Sequence, residues 1–297
     1  MSFANLAAIF EESMKIIDTS PTLAELAKKS VNKTEVYNEA SECTGNRHIK
    51  KSEGNCVSVL AGTSFDTARK LVDKYQGSKK VAVLNFANAY YPGGGVIAGA
   101  RAQEECLCRC STLYKSLKAV STTSNFYEYH QNKRTFHPED VNRTGIIYTP
   151  DVAIFRTDAY EILETPTLVD VITCAAPDIR YYECTEERLR AIHKEKATAI
   201  LDLAVEHDVD VIVLGAFGCG AFKNPPELVA DVYKQVLNQQ TKNTEELLEL
   251  EETLDYVVQE ELKYQNCFEE VVFAIRSTNE VESVNYKIFR EILEGVE

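Results

Sequence analysis

The chain has 297 residues, 44% of them apolar and 26% charged, with a formal net charge of −14 and nine cysteines. That length suits one large domain or two small ones around a sizeable core, and no apolar run approaches the roughly 20 residues that a membrane-spanning helix needs. With no basic patch visible, the acidic balance argues against a DNA or RNA binder, whose affinity rests on phosphate contacts; an anionic ligand would be held by backbone N–H groups and helix N-termini.

The opening MSFANLAAIFEESMKIID has no basic start and soon turns acidic. It reads as an amphipathic helix rather than a secretion signal, so a cytoplasmic or nuclear protein is expected, neither secreted nor membrane-bound. Residues 1–52 are expected to form a polar helical segment packed on the domain that follows, with Thr22 as the N-cap of PTLAELAKKS and a loop over NEASECTGNRHIKKSEGN. The rest, residues 53–297, alternates. Apolar runs predict buried strands at 56–60, 81–86, 152–155, 168–174, 211–216 and 271–275. Helical patterns fall at 65–76, 101–118, 185–206, 225–239 and 284–294. Strands separated by helices imply a layered α/β domain with a mixed, mostly parallel sheet. The segment TEELLELEETLDYVVQEELKYQN (244–266) reads as an amphipathic helix with a solvated acidic face.

The cysteines are scattered over a long chain without an export signal, which favours reduced thiols. Cys106, Cys108 and Cys110 are two apart rather than in C-x-x-C spacing, and the five histidines fall at no ligand spacing. No metal and no cofactor is expected.

Two glycine-rich stretches carry the chemistry. Strand 81–86 runs into ANAYYPGGG, and strand 211–216 runs into FGCGAFKNPP. In α/β sheets ligands sit beyond the carboxyl ends of strands, where glycine lets the main chain approach phosphate; a pair of such turns points to a diphosphate cradle. The spacing of GAFGCG is not the dinucleotide fingerprint, and no P-loop is present. Cys219 reads as a small lining residue rather than a nucleophile. After PGGG, a predicted helix carries Leu107, Cys110, Tyr114 and Leu117 on one buried stripe, with Gln103 one turn earlier on the same stripe. Glu104 and Glu105 are each a further 100° round, so they point different ways and do not form a shared-proton dyad. Acidic residues in a first helical turn also suit the macrodipole with no further role.

The stretch VAVLNFANAYYPGGGVIAGARAQEECLCRCSTLYKSL strongly resembles the microbial-type poly(ADP-ribose) glycohydrolases, whose signature is GGG, six to eight residues, then QEE. Here Gly93-Gly94-Gly95 is followed by seven residues and then Gln103-Glu104-Glu105. GIIYTPDVAIFR, VDVITCAAPDIR, VIVLGAFGCGAFKNPP and VVFAIRST resemble family segments in family order, so the similarity covers roughly residues 55–297, apart from the acidic 244–266 elaboration.

The resemblance implies a macrodomain fold, a three-layer α/β/α arrangement, and hydrolysis of the ribose–ribose O-glycosidic bond of poly(ADP-ribose). By resemblance, Glu105 is the catalytic acid and Glu104 holds hydroxyls of the ribose being cleaved. Gln103 accompanies them in the site, and Asn88 contacts ribose. Gly93, Gly94 and Gly95 lie along the distal ribose and diphosphate. Gly218, Cys219, Gly220 and Ala221 offer N–H groups to the diphosphate, and Phe222 packs on the distal ribose. Expected partners are poly(ADP-ribose) or ADP-ribosylated protein and the product ADP-ribose, with no nucleic acid and no membrane, and the chain is expected to be a monomer. An acidic protein that cradles an anion with main-chain donors favours a chain end in a pocket over a grip along the polymer. Two alternatives stay open: a macrodomain hydrolase of mono-ADP-ribosylated protein or of an ADP-ribose ester, and a non-catalytic ADP-ribose-binding module, against which the intact QEE argues.

Overall fold

The computed structural model describes residues 2–39, 42–43, 56–124, 126–128, 144–180, 183–238, 263–264, 266–277 and 283–295. The expected acidic helix at 244–266 lies almost wholly outside the described residues, as does most of the expected loop over 38–55.

A seven-stranded sheet forms the middle layer, in the order β1-β4-β5-β3-β6-β7-β2. The strands are β1 (Glu35–Glu39), β2 (Cys56–Ala61), β3 (Val81–Phe86), β4 (Thr144–Arg156), β5 (Ile162–Cys174), β6 (Val211–Leu214) and β7 (Glu270–Ile275). Only β4 runs against the others, so the sheet is mixed and mostly parallel. The central strands are mostly apolar because both faces are covered, with Asn85 of β3 and Thr173 of β5 among the buried polar exceptions. Their alternation assigns each residue to a layer: Val81, Val83, Val211 and Val213 enter one core, while Ala82, Leu84, Ile212 and Leu214 enter the other. The first core is closed by α3 (Ser64–Lys74), α4 (Gln103–Cys110) and α5 (Leu113–Thr123), the second by α6 (Glu186–Glu206), α7 (Pro226–Leu237) and α8 (Val284–Glu294).

At the amino end, α1 (Phe3–Thr19) and α2 (Pro21–Asn32) lie against this frame. Ile17, Leu23 and Ala27 pack on Ala153 and Phe155 of β4, and β1 continues the sheet beyond β4. The N-cap of α2 is Ser20, not Thr22: the Ser20 hydroxyl accepts from the Leu23 N–H, and Pro21 takes the first helical position, where its missing N–H costs nothing.

The pattern expected to make one helix over 101–118 makes two. The Ser111 hydroxyl donates to the Leu107 carbonyl at 2.8 Å and accepts from the Leu113 N–H at 3.2 Å. Thr112 exchanges two bonds with Ala153 of β4, each 3.0 Å: its N–H donates to the carbonyl, and its hydroxyl accepts from the N–H. These side chains offer the backbone an alternative to the helix, and the chain turns towards the sheet at Ser111 before α5 begins. As a result α4 shows no single stripe; Glu104, Glu105, Leu107, Cys108, Arg109 and Cys110 are all buried.

Among the described residues no helix is long and apolar enough to cross a membrane. All nine cysteines are free.

Candidate active site

The two glycine-rich loops leave β3 and β6, which are hydrogen-bonded parallel neighbours, and so they emerge side by side at one edge of the sheet. The end of β5 flanks them, with the Ala87 N–H donating to the Cys174 carbonyl at 3.0 Å.

Beyond β3 the chain turns on Asn88, whose Oδ1 accepts from the N–H groups of Tyr90 (2.8 Å) and Tyr91 (3.0 Å). Gly93 and Gly94 follow with φ of +70° and +57°, where an L side chain is strained. At Gly94 space forbids one as well: a Cβ would stand 2.6 Å from Glu105 Oε1 and 3.2 Å from Glu104 Oε2. The two carboxylates, set about 100° apart by the helix, therefore both reach the same bare glycine.

Their surroundings differ. Glu104 is 2% exposed. Its Oε2 accepts from the Asn88 N–H at 2.7 Å and its Oε1 from Asn85 Nδ2 at 3.3 Å. Burial pushes its carboxyl up to about 8; these donors oppose that shift, and the neighbouring Glu105 charge reinforces it. Glu105 is also buried, and its Oε1 accepts from the Gly95 N–H at 2.9 Å. Its Oε2 is buried with no hydrogen-bond partner. Buried polar atoms are nearly always paired, so the two oxygens of this carboxyl stand in unlike surroundings, one held and one bare.

Gln103 is held by the main chain. Its Oε1 accepts from the Phe86 N–H, and its Nε2 donates to the Leu84 carbonyl and to Ser64 Oγ, at 2.8, 2.8 and 3.0 Å. Both ends of the amide are engaged within the protein, so its contribution is to fasten the start of α4 to the end of β3. Asn88 uses its Oδ1 in the turn, leaving its Nδ2 without a partner among the described residues.

In the second loop Gly218 has φ +78°, and a Cβ there would fall 2.5 Å from Asn224 Nδ2 and 2.7 Å from Ala176 Cβ. Asn224, 2% exposed, ties the loop together. Its N–H and Nδ2 both donate to the Gly218 carbonyl at 3.1 Å, and Nδ2 also donates to the Pro177 carbonyl at 2.7 Å. With both amide hydrogens used, its Oδ1 accepts, and His193 Nε2, 2.9 Å away, is the donor. Burial depresses this imidazole to about 4, so it is neutral at physiological pH. The Cys219 N–H is spent on the Ala216 carbonyl. Those of Gly218, Gly220, Ala221 and Phe222 have no acceptor among the described residues, a set of main-chain donors whose chemistry suits an anion. Burial pushes the Cys219 thiol up to about 12, so it is no thiolate nucleophile. Phe222 is half-buried under the Arg180 guanidinium, 5.4 Å from its ring centre.

Asn85, Asn224 and His193 were not singled out from the sequence. Asn85 alone left a signal: an amide inside the otherwise apolar VAVLNF, where an unpaired polar group would be costly.

A cavity of about 400 Å³ opens on the other side of α4, with Thr63, Phe65, Phe86, Cys106, Tyr160 and Arg276 among its walls. Phe86 and Ala274, both in its lining, are the residues that crowd Gly215 at the start of the second loop, so cavity and loop adjoin. Among the described residues no cluster of side chains suits a metal ion.

Residues 11–157 match the family model described as microbial-type PARG, catalytic domain. The structure is similar to that of poly(ADP-ribose) glycohydrolase from Thermomonospora curvata, at 30% identity over 97% of this chain and 99% of that one, with a TM-score of 0.79. The same bacterium's enzyme bound to the inhibitor ADP-HPD matches over the same shares, with 30% identity and a TM-score of 0.76. A Deinococcus radiodurans poly(ADP-ribose) glycohydrolase variant in complex with ADP-ribose is 29% identical over 91% of this chain and 97% of that one, with a TM-score of 0.72. No curated protein matches the chain.

Proposed function

Because the chain belongs to the microbial-type poly(ADP-ribose) glycohydrolase family, we infer that it hydrolyses the ribose–ribose O-glycosidic bond of poly(ADP-ribose) and releases ADP-ribose. The observation that carries the chemical assignment is the asymmetry of Glu105: one carboxyl oxygen is fixed by the Gly95 N–H, and the other is bare. A carboxyl held at one oxygen can present the other to the leaving oxygen of the bridge. As the bond to the anomeric carbon breaks, Glu105 gives its proton to that oxygen, and an oxocarbenium-like ribose is left. Water adds to the anomeric carbon and loses its proton to the Glu105 carboxylate or to the substrate's own diphosphate, which completes the hydrolysis.

Glu104 supports the same cycle. With its carboxyl raised to about 8 it is protonated at neutral pH, so Glu104 itself adds no negative charge beside an incoming diphosphate. The free N–H groups of the 218–222 loop face that diphosphate, and Phe222 covers the distal ribose. The adjoining cavity has the size and the mixed apolar and polar lining for the adenosine end. A site built of main-chain donors around one nucleotide unit favours cleavage from the chain end.

The test is digestion of purified poly(ADP-ribose) by wild type and Glu105→Gln, with ADP-ribose release followed by chromatography and ADP-ribose binding by calorimetry. The variant should lose roughly 10²–10⁴-fold in kcat and keep its affinity for ADP-ribose. Normal turnover by the variant would remove Glu105 from the chemistry. Wild type that binds polymer without shortening it would make the chain a reader, and release confined to a mono-ADP-ribosylated protein would move it to the mono-ADP-ribosyl hydrolases.

A further inference from the structure

The glycine loop is held from behind by a helix about ninety positions earlier in the chain. Three contacts make the frame. At the far end of the loop, Gly99 has φ +79°, and a Cβ there would stand 2.0 Å from the Phe3 carbonyl oxygen at the start of α1. At the near end, the Tyr114 ring lies against Gly93, with Cδ2 and Cε2 2.8 and 3.0 Å from where a Cβ would be. Phe10 of α1 meets that ring edge-on, with centres 4.9 Å apart and an interplanar angle of 85°. The third contact reaches the helix that bears the carboxylates: the Ser13 hydroxyl, fully buried, donates to the Arg109 carbonyl at 2.8 Å.

The N–H of Gly95 that fixes Glu105 Oε1 lies inside this frame, between Gly93 and Gly99. The loop's three left-handed glycines, Gly93, Gly94 and Gly99, gain no rigidity from side chains of their own, so the position of that N–H is set by what packs on the loop from outside. We propose that Phe10 and Tyr114 are positioning residues for the reaction, and that α1 is the template against which the Gly93–Gly99 loop is set. This rests on the reading of Glu105 as the proton donor. The diphosphate loop, on β6, touches neither residue, so substrate affinity and turnover separate.

The experiment uses the full chain with Tyr114→Leu, Tyr114→Phe and Phe10→Leu. It measures kcat on polymer, the ADP-ribose dissociation constant, and amide hydrogen exchange over residues 93–99, all well below the melting temperature of each variant. Tyr114→Leu should lower kcat at least tenfold, keep the ADP-ribose dissociation constant within about twofold, and speed exchange in the loop. Tyr114→Phe keeps the ring and should restore all three. Phe10→Leu should fall between them, and it serves as the readout if Tyr114→Leu does not fold. Because the two rings act through one contact, the double leucine variant should be little worse than Tyr114→Leu. Unchanged kcat and exchange in the leucine variants would overturn the proposal, as would kcat and ADP-ribose affinity falling together. If wild type itself fails to cleave polymer, the reading of function fails, and the exchange data still decide whether α1 sets the loop.

Discussion

Gly94 offers the sharpest perturbation, because a single added methyl group runs into the Glu105 carboxylate. In Gly94→Ala the new Cβ would be 2.6 Å from Glu105 Oε1, where ordinary contact begins near 3.4 Å. The carboxylate must retreat by most of an ångström, and its 2.9 Å bond from the Gly95 N–H is stretched or lost. A misplacement of about 1 Å at a reacting group can cost about 10²-fold, and the whole general-acid contribution is roughly 10²–10⁴-fold. A loss of about 100-fold in kcat is therefore expected. The left-handed φ adds about 1–2 kcal/mol of backbone strain, small beside the roughly 5–15 kcal/mol that holds a domain folded, so the variant should melt a few degrees lower and remain native. Gly95→Ala is the control: its φ is −93°, and its Cβ would touch Ala100 Cβ at 2.9 Å while staying 3.7 Å from Oε1. It should lose less than about tenfold, since the carboxylate is not displaced. Initial rates of ADP-ribose release at saturating polymer, with thermal melts alongside, decide the matter. Folded Gly94→Ala with more than about a tenth of wild-type kcat would show that the close fit of loop and carboxylate does not position the acid.

In the second loop, Gly218→Ala drives a methyl group against Asn224 and Ala176 at a left-handed φ. Calorimetry should show ADP-ribose binding weakened at least tenfold with a smaller change in kcat, and an equal loss in both would deny the loop its binding role. Glu104 gives a signed pH effect. Its carboxyl lies at about 8 against 4.5 in the unfolded chain, so between those values the native state binds the extra proton and its stability falls as pH rises. Glu104→Gln removes that dependence; its stability advantage over wild type should grow from pH 4.5 to 8 in denaturant titrations, and parallel curves would refute the burial argument. His193 acts with the opposite sign. Lowered to about 4 from 6.5, it is protonated more readily in the unfolded chain, so stability rises with pH across that window. Replacing it with Gln, which can still donate to Asn224, should flatten that rise without weakening ADP-ribose binding more than a few-fold.

How much could be read beforehand depended on how local each determinant is. The pairing of Gly93–Gly95 with Gln103–Glu105 and the two apolar strands that end in glycine turns are local patterns, and the structure brings these turns together because β3 and β6 are neighbours. The first half of β4, residues 144–149, escaped notice because Pro150-Asp151 looks like a turn. It is instead a bulge, with Asp151 at φ +55° and the register against β5 shifting between Thr149 and Val152. Most of the first half of β5 is exposed or half-buried and pairs only with β4, so it lacks the apolar signal of a central strand. β1 is a short, polar edge strand inside a stretch that reads as helical. The break at Ser111 needs the backbone of Ala153, some forty residues away, as a competitor for Thr112. Gln103 shows the limit from the other side: its motif marks the site, but only the three-dimensional arrangement shows that its amide serves strand and helix rather than ligand.

The adjacency of β3 and β6 has a consequence for how this site can diverge. Neighbouring strands stand about 4.8 Å apart, a gauge set by peptide hydrogen bonding that side-chain substitution leaves intact. Descendants of this scaffold can reshape loop tips, walls and lids, but the interval between their two roots is inherited unchanged. A new ligand class must fit that inherited gauge, or the strand order itself must change.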